Sequence, residues 1–337
     1  MENVINKTIQ YEKALYVGDE WFTRSVLVGD PYPSGISNVF TSQYVENIMI
    51  NHGMTDVVTD YDGSGINSFV NQQFENGVLY YNYRGWYYGA GSYPDNCCDN
   101  GYQTPFVTTI TCGTGDFDSG NSSSESWVEM GSINNPQGAV AAVGVSTAGT
   151  HTAYNNIVDM GIYDGIFPKD LWYAGAVTSN GHLSILATYP SNPSGATETF
   201  IAWTNLMGDP ALHLWTDVPT DFSFVHPSSI SLGTTMLELT ITDENDDTVE
   251  GARVTLLMDD DVIFTTGLTD ENGQISLSWD AVESGNMDIT VIKRNHRPYE
   301  GNIEISSAGT AVSMDSGILE ATSGEGENFE ISLHNFG

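Results

Sequence analysis

A chain of 337 residues, 40% of them hydrophobic, is long enough to bury one large α/β core and a small second one. Nine basic residues against 44 acidic ones leave a net charge of −35, so nucleic-acid binding and attraction to anionic membranes are excluded. No run approaches the ~18 apolar residues of a membrane helix, and no membrane insertion is expected.

The first residues, MENVINKTIQYEKAL, are polar and mixed in charge and lack the apolar centre of a signal peptide. SVLVGD (Ser25 to Asp30) is a short apolar run that closes on turn residues, as a buried parallel strand does. A helix follows around Ser37 to His52. Its apolar Val45, Ile48 and Met49 recur at i, i+3 and i+4, and Gly53 stands at the C-cap position. TDVVTDYD reads as the next strand, and INSFVNQQFEN as a helix ended by Gly77. VLYYNY (Val78 to Tyr83), FVTTIT (Phe106 to Thr111) and AVAAVGV (Ala139 to Val145) are rich in β-branched, aromatic and small apolar residues and read as strands. ATETFIAWTNLMG reads as helical, and LHLW as the closing strand. This alternation predicts an α/β fold: an open, mostly parallel sheet with helices on both faces.

After Pro219 the period shortens. TMLELTIT, ARVTLLMD, VIFTTGLT, GQISLSW and MDITVIK alternate apolar and polar residues between turn-forming DENDD, DENG and SGN. Residues 223–306 are therefore expected to form a small all-β sandwich in the immunoglobulin-like size range, without a catalytic role. Asp243, Glu244, Asp246 and Asp247, with Asp270 and Glu271, sit in its turns. Such acids hold calcium as a structural ion in some proteins, and a solvated turn is their commoner state. Residues 307–337 begin a further β pattern and stop.

The three cysteines are Cys97, Cys98 and Cys112, and an odd count leaves at least one thiol outside any intrachain disulfide. Adjacent Cys97 and Cys98 are poorly spaced to bridge each other. No Cys/His spacing suits zinc, and no cofactor is expected. Cys112 is placed differently. FVTTIT runs directly into it, giving TITCGTGDF, and ligands collect at the carboxyl ends of parallel strands. Gly113 and Gly115 keep the backbone there accessible. The preceding strand runs into Arg84, Gly85 and Trp86, so the two strand ends are expected to share one pocket. A buried, inert thiol is the ordinary fate of a cysteine.

NKTIQYEKAL, GVLYYNYRG, PFVTTITCGTGDF, GAVAAVGVST and LMGDPALHLW, in that order, resemble the gingipain-like cysteine peptidases from roughly Tyr11 to Trp215. The resemblance implies a caspase-like α/β fold and peptide-bond hydrolysis by a His/Cys dyad, with backbone N–H groups forming an oxyanion hole. Cys112 matches the nucleophile. Trp86, in RGWYYGAGS, stands where the family has its histidine, and tryptophan cannot activate a thiol. Among the histidines, His151 in STAGTHTAYNN is the best placed to serve instead, just past a third strand end. The N–H groups of Cys112 and Tyr87 are the oxyanion-hole candidates. Trp86, Arg84, Gly113 and Asp116 are the pocket candidates, and the GDPALHLW element is structural.

These readings predict a cysteine endopeptidase that cleaves proteins or peptides through a Cys112 thiolate and an acyl-enzyme. The alternative is an inactive relative that binds peptide or protein at a surface, and transpeptidation is a third outcome. Residues 1–218 are expected to be the C-terminal part of a peptidase domain cut from a larger secreted or cell-surface protein. That location rests on the resemblance alone, and nothing in the sequence sets the oligomeric state.

Overall fold

The computed structural model describes residues 1–15, 18–86, 98–118, 120–280, 283–306, 312–315 and 332–335. Contacts divide the chain into two units, Met1–Pro219 and Thr220–Gly337.

The first unit runs α1 (Glu2–Lys13), β1 (Arg24–Gly29), α2 (Ser37–His52), β2 (Asp56–Asp60), α3 (Ile66–Glu75), β3 (Tyr80–Arg84) and β4 (Phe106–Thr109). It continues through α4 (Ser123–Glu129), a minimal hairpin of β5 (Gly131–Ser132) and β6 (Asn135–Pro136), and β7 (Ala141–Val145). It closes with α5 (Thr152–Ile166), α6 (Ala174–Thr188), α7 (Ala196–Trp203) and β8 (Thr204–Met207). The sheet order is β2-β1-β3-β4-β7-β8. Every neighbouring pair is parallel except β7 with β8.

Alternation along each strand sends its side chains to opposite faces. Leu27, Tyr80, Phe106, Ala141 and Val143 enter one core with Val45 and Met49 of α2, Ile162 of α5 and Val177 of α6. Val26, Val28, Tyr81, Tyr83 and Val107 enter the other, against Val70 and Phe74 of α3 and Trp127 of α4. Phe74 and Trp127 stack there with ring centroids 5.0 Å apart. Burial on both faces is why these strands read as unbroken apolar runs. The sheet is thus open and mostly parallel, with helices on both faces, as the sequence predicts.

Two segments near the end of this unit differ from that reading. ATETFIAWTNLMG is helical only to Trp203; Thr204–Met207 pairs antiparallel with Val145–Ala142, because the free edge of β7 offers those residues a ladder. LHLW forms no strand. Leu212, Leu214 and Trp215 are buried, and the segment meets the Trp172–Ala174 stretch through single hydrogen bonds and one isolated bridge, Tyr173 to His213.

α1 anchors through a buried lysine. Lys7 Nζ donates to Val128 O at 2.6 Å, Gln137 O at 2.9 Å and Met130 O at 3.2 Å, at the carbonyl end of α4. Burial pushes its ammonium down to about 8. A cation is favourable at a helix C-terminus, and removing it strands three acceptors. Lys7→Met is expected to lower stability by about 2 kcal/mol, read from urea unfolding of the intact chain at neutral pH. An unchanged midpoint would exclude this anchoring role.

The second unit is all-β. It comprises β9 (Ser229–Ser231), β10 (Met236–Thr240), β11 (Arg253–Met258), β12 (Ile263–Leu268), β13 (Gln274–Ser278), β14 (Gly285–Ile292) and β15 (Tyr299–Ser306). Five strands order as β12-β11-β14-β15-β9, and β10 pairs with β13. All pairings are antiparallel but β15 with β9, a short parallel contact. Strict alternation in β10 and β13 turns Leu237, Leu239, Ile275 and Leu277 onto Val254, Leu256, Ile289 and Ile303. Asp243 Oδ1 accepts the N–H groups of Asn245 and Asp247, and Asp270 Oδ1 those of Asn272 and Gln274, so these carboxylates cap their own turns. Among the described residues no group of three or more acids, histidines or cysteines is placed to hold a metal ion. Most of residues 307–337 lie outside the described residues, apart from the antiparallel pair β16 (Val312–Asp315) and β17 (Ser332–Asn335). No helix among the described residues is long and apolar enough to cross a membrane.

Candidate active site

Because β1, β2, β3, β4 and β7 are parallel, the residues that follow them emerge at one edge of the sheet. Cys112 lies three residues past β4 and is half-buried, as a free thiol. Its loop is laced to the end of β7. Gly113 N donates to Thr147 O at 2.8 Å and Gly115 N to Val145 O at 3.0 Å. Thr114 Oγ1 donates to Thr109 O and Thr111 O and accepts from Val145 N. Gly113 takes a φ of +67°, and a Cβ on Gly115 would lie 2.7 Å from the Gly144 backbone. The glycines therefore serve this loop-to-strand approach, and Gly113 is buried with its N–H engaged.

β3 and β4 bring Trp86 to the same place. Tyr83 pairs with Thr109, and three residues further on stand Trp86 and Cys112. Thr111 Oγ1 donates to Gly85 O at 2.8 Å, tying the two loops together. Trp86 is 48% exposed, and its carbonyl accepts from Tyr83 OH at 3.2 Å. Asp116 is half-buried, and its carboxylate faces the N–H of exposed Asp118 within its own turn at 3.4 Å. Tyr87 and Cys97 lie outside the described residues. Cys98 is buried and disulfide-bonded, and the reading of the adjacent Cys97–Cys98 pair lies outside the described residues.

The sulfur's hydrogen-bond partner is Thr150. Cys112 Sγ and Thr150 Oγ1 are 2.9 Å apart, and Asn155 Nδ2 donates to the same Oγ1 at 3.1 Å. His151, the next residue, is the exposed N-cap of α5, and its Nδ1 accepts from Ala153 N at 3.2 Å. That bond takes up the one lone pair of a neutral imidazole and fixes the proton on Nε2. Of the other histidines in this unit, His182 and His213 are pushed down by burial, and His52 packs on Phe167.

Arg84, at the end of β3, is 1% exposed. Its Nε donates to Asn156 Oδ1 at 3.1 Å, its Nη2 to Asn38 Oδ1 at 3.2 Å, and its Nη1 to Ile110 O. Burial lowers the guanidinium from its ordinary value, while Asp159, Tyr83 and Cys112 favour its charge. Asp159, fully buried one turn beyond Asn156, is pushed up to about 7 by burial, against the pull of Arg84 and of an Asn82 Nδ2 hydrogen bond of 2.6 Å.

The structure thus brings Cys112, Arg84 and Trp86 to one edge and places His151 beside them in a capping role. Thr150, Asn155, Asn156, Asp159 and Asn38 complete the constellation, and none of them stands out in the sequence. The signal for three of them is polar residues on the buried face of α5, where Asn155, Asn156 and Asp159 lie beside buried Val158 and Ile162.

The family model described as Peptidase family C25 matches residues 1–215. Gingipain R2 of Porphyromonas gingivalis is 24% identical over 346 residues, covering 96% of this chain and 45% of that protein. Gingipain R1 of the same organism is 24% identical over 252 residues, covering 69% of this chain and 25% of that protein. The chain therefore spans less than half the length of these relatives. The crystal structure of the Arg-specific cysteine proteinase gingipain R matches with a TM-score of 0.76 at 21% identity, over 90% of this chain and 72% of that one. This likeness shows a shared fold.

Proposed function

The chain belongs to peptidase family C25, and on that premise we propose that it cleaves peptide bonds through Cys112. The observation that carries this reading is a free, half-buried thiol just past a central parallel strand, 2.9 Å from a fixed hydroxyl. The thiolate attacks the carbonyl carbon, a C–S bond forms, and the carbonyl oxygen takes the negative charge. The Cys112 N–H is assigned to that oxygen, with a second N–H assigned to Tyr87. The C–N bond then breaks, and the amine leaves with a proton. Water hydrolyses the thioester, releases the acid and restores the thiol. His151 is the group assigned to proton transfer, for which its Nδ1 must leave the Ala153 cap. Proteins or peptides are the substrates, and a secreted or cell-surface location belongs to the same reading; fractionation of the producing cells checks the location.

A second reading is supported by Trp86 at the family's histidine position and by the engaged Nδ1 of His151: a peptidase-family module that binds peptide without turning it over. A peptidyl acyloxymethyl ketone separates the two. Wild type is expected to be labelled, Cys112→Ala to be silent, and His151→Ala to label weakly. Full labelling of His151→Ala would remove the imidazole from the mechanism. An unlabelled, folded wild type would overturn the peptidase reading in favour of binding.

A further inference from the structure

We propose that Thr150, locked by Asn155, is the positioning residue that orients the Cys112 sulfur, an inference that rests on Cys112 being the nucleophile. The contact is specific. Thr150 Oγ1 stands 2.9 Å from Sγ and accepts Asn155 Nδ2 at 3.1 Å. With one lone pair of the hydroxyl taken by the amide, its proton is free to point at the sulfur. Threonine is also stiff about χ1, so the hydroxyl keeps its aim.

Asn155 is itself fixed. It is 4% exposed, and its N–H donates to His151 O at 3.2 Å in the first turn of α5. The next residue, Asn156, accepts Arg84 Nε and Nη2 on its Oδ1. Two consecutive amides of one helix thus hold the hydroxyl that contacts the sulfur and the buried guanidinium. A hydroxyl of ordinary acidity cannot take the thiol proton. Its effect is to donate to the thiolate, which favours that form and restricts the rotamer from which it attacks.

The test is the second-order rate of Cys112 alkylation by iodoacetamide at neutral pH, with Cys112→Ala as the blank. This small electrophile needs no peptide recognition and no protonated leaving group, so it reports on the sulfur even if the chain is inert toward peptides. Failure of the peptidase reading shows instead as absent acyloxymethyl ketone labelling. Thr150→Val keeps the shape and removes the hydroxyl. It is expected to slow alkylation roughly five- to tenfold: one hydrogen bond to a charged group is lost, and about half of that loss on a logarithmic scale returns through the higher nucleophilicity of a more basic sulfur. Thr150→Ser restores the hydroxyl and is expected to recover the rate to within about twofold. Asn155→Ala is expected to slow the parent but not the Thr150→Val background, because it acts through the same oxygen. Thr150→Val reacting as fast as wild type overturns the proposal, as does an equal slowing in Thr150→Ser.

Discussion

Trp86→His is expected to raise the kcat/KM for peptide hydrolysis by roughly 10²–10⁴-fold, the contribution of a positioned general base. The parallel register of β3 and β4 ends on the pair Tyr83 and Thr109, residues 86 and 112 each follow three residues later, and the Thr111 to Gly85 hydrogen bond holds the two loops together. Trp86 is about half exposed, so an imidazole replaces it without opening a core cavity. Its structural bond is made by the backbone carbonyl, which the substitution retains. An imidazole there can take the thiol proton and return it to the leaving amine without first leaving a helix cap, as His151 must. The measurement is turnover of a fluorogenic peptide mixture, with Trp86→His/Cys112→Ala as the blank. A Trp86→His chain that keeps its melting midpoint and gains no Cys112-dependent turnover would refute the assignment of position 86 as the vacated base.

The parallel sheet was legible because burial on both faces leaves a strand no polar alternation to hide behind. Val26 to Val28, Tyr80 to Tyr83 and Ala141 to Val145 are buried throughout, and they read as apolar or aromatic runs broken only by Asn82. Cys112 and Arg84 were legible for a related reason: each stands where such a run ends, and parallel strands all end at one edge. α5 was not. Periodicity registers burial only through apolarity, and Asn155, Asn156 and Asp159 place amides and a carboxyl on its inward face, which breaks the expected stripe. Thr150 escaped on a finer scale. His151 and Thr150 both follow β7, and a sequence cannot say which of two adjacent side chains turns toward the sulfur. The N-cap settles it by drawing His151 Nδ1 onto Ala153 and leaving Thr150 on the inner side. β8 was misread because a free sheet edge overrides the weak helical preference of a short segment.

Stability of the intact chain is expected to fall as pH rises from about 4 to about 7, with Asp159 as the largest single contributor. Its carboxyl is pushed up to about 7 by burial, only partly offset by Arg84 and by the Asn82 hydrogen bond, while in the unfolded chain it titrates near its ordinary 3.8. Across that window the folded state holds a proton that the unfolded state has released. Stability then decreases with pH, by about 4 kcal/mol at most over roughly three pH units. Glu12, Asp30 and Asp60 are raised by the same cause and act in the same direction. The net charge of −35 adds repulsion as the acids ionise. Lys7 works in the opposite sense, since its folded value of about 8 lies below 10.5, but its window opens only above pH 8. Asp159→Asn removes the ionisation and leaves an amide oxygen to accept Asn82 Nδ2. Its unfolding midpoint is therefore expected to vary clearly less between pH 5 and pH 7.5 than the parent's, as followed by thermal or urea melts. The same slope in both proteins would show that Asp159 does not carry its proton through this range.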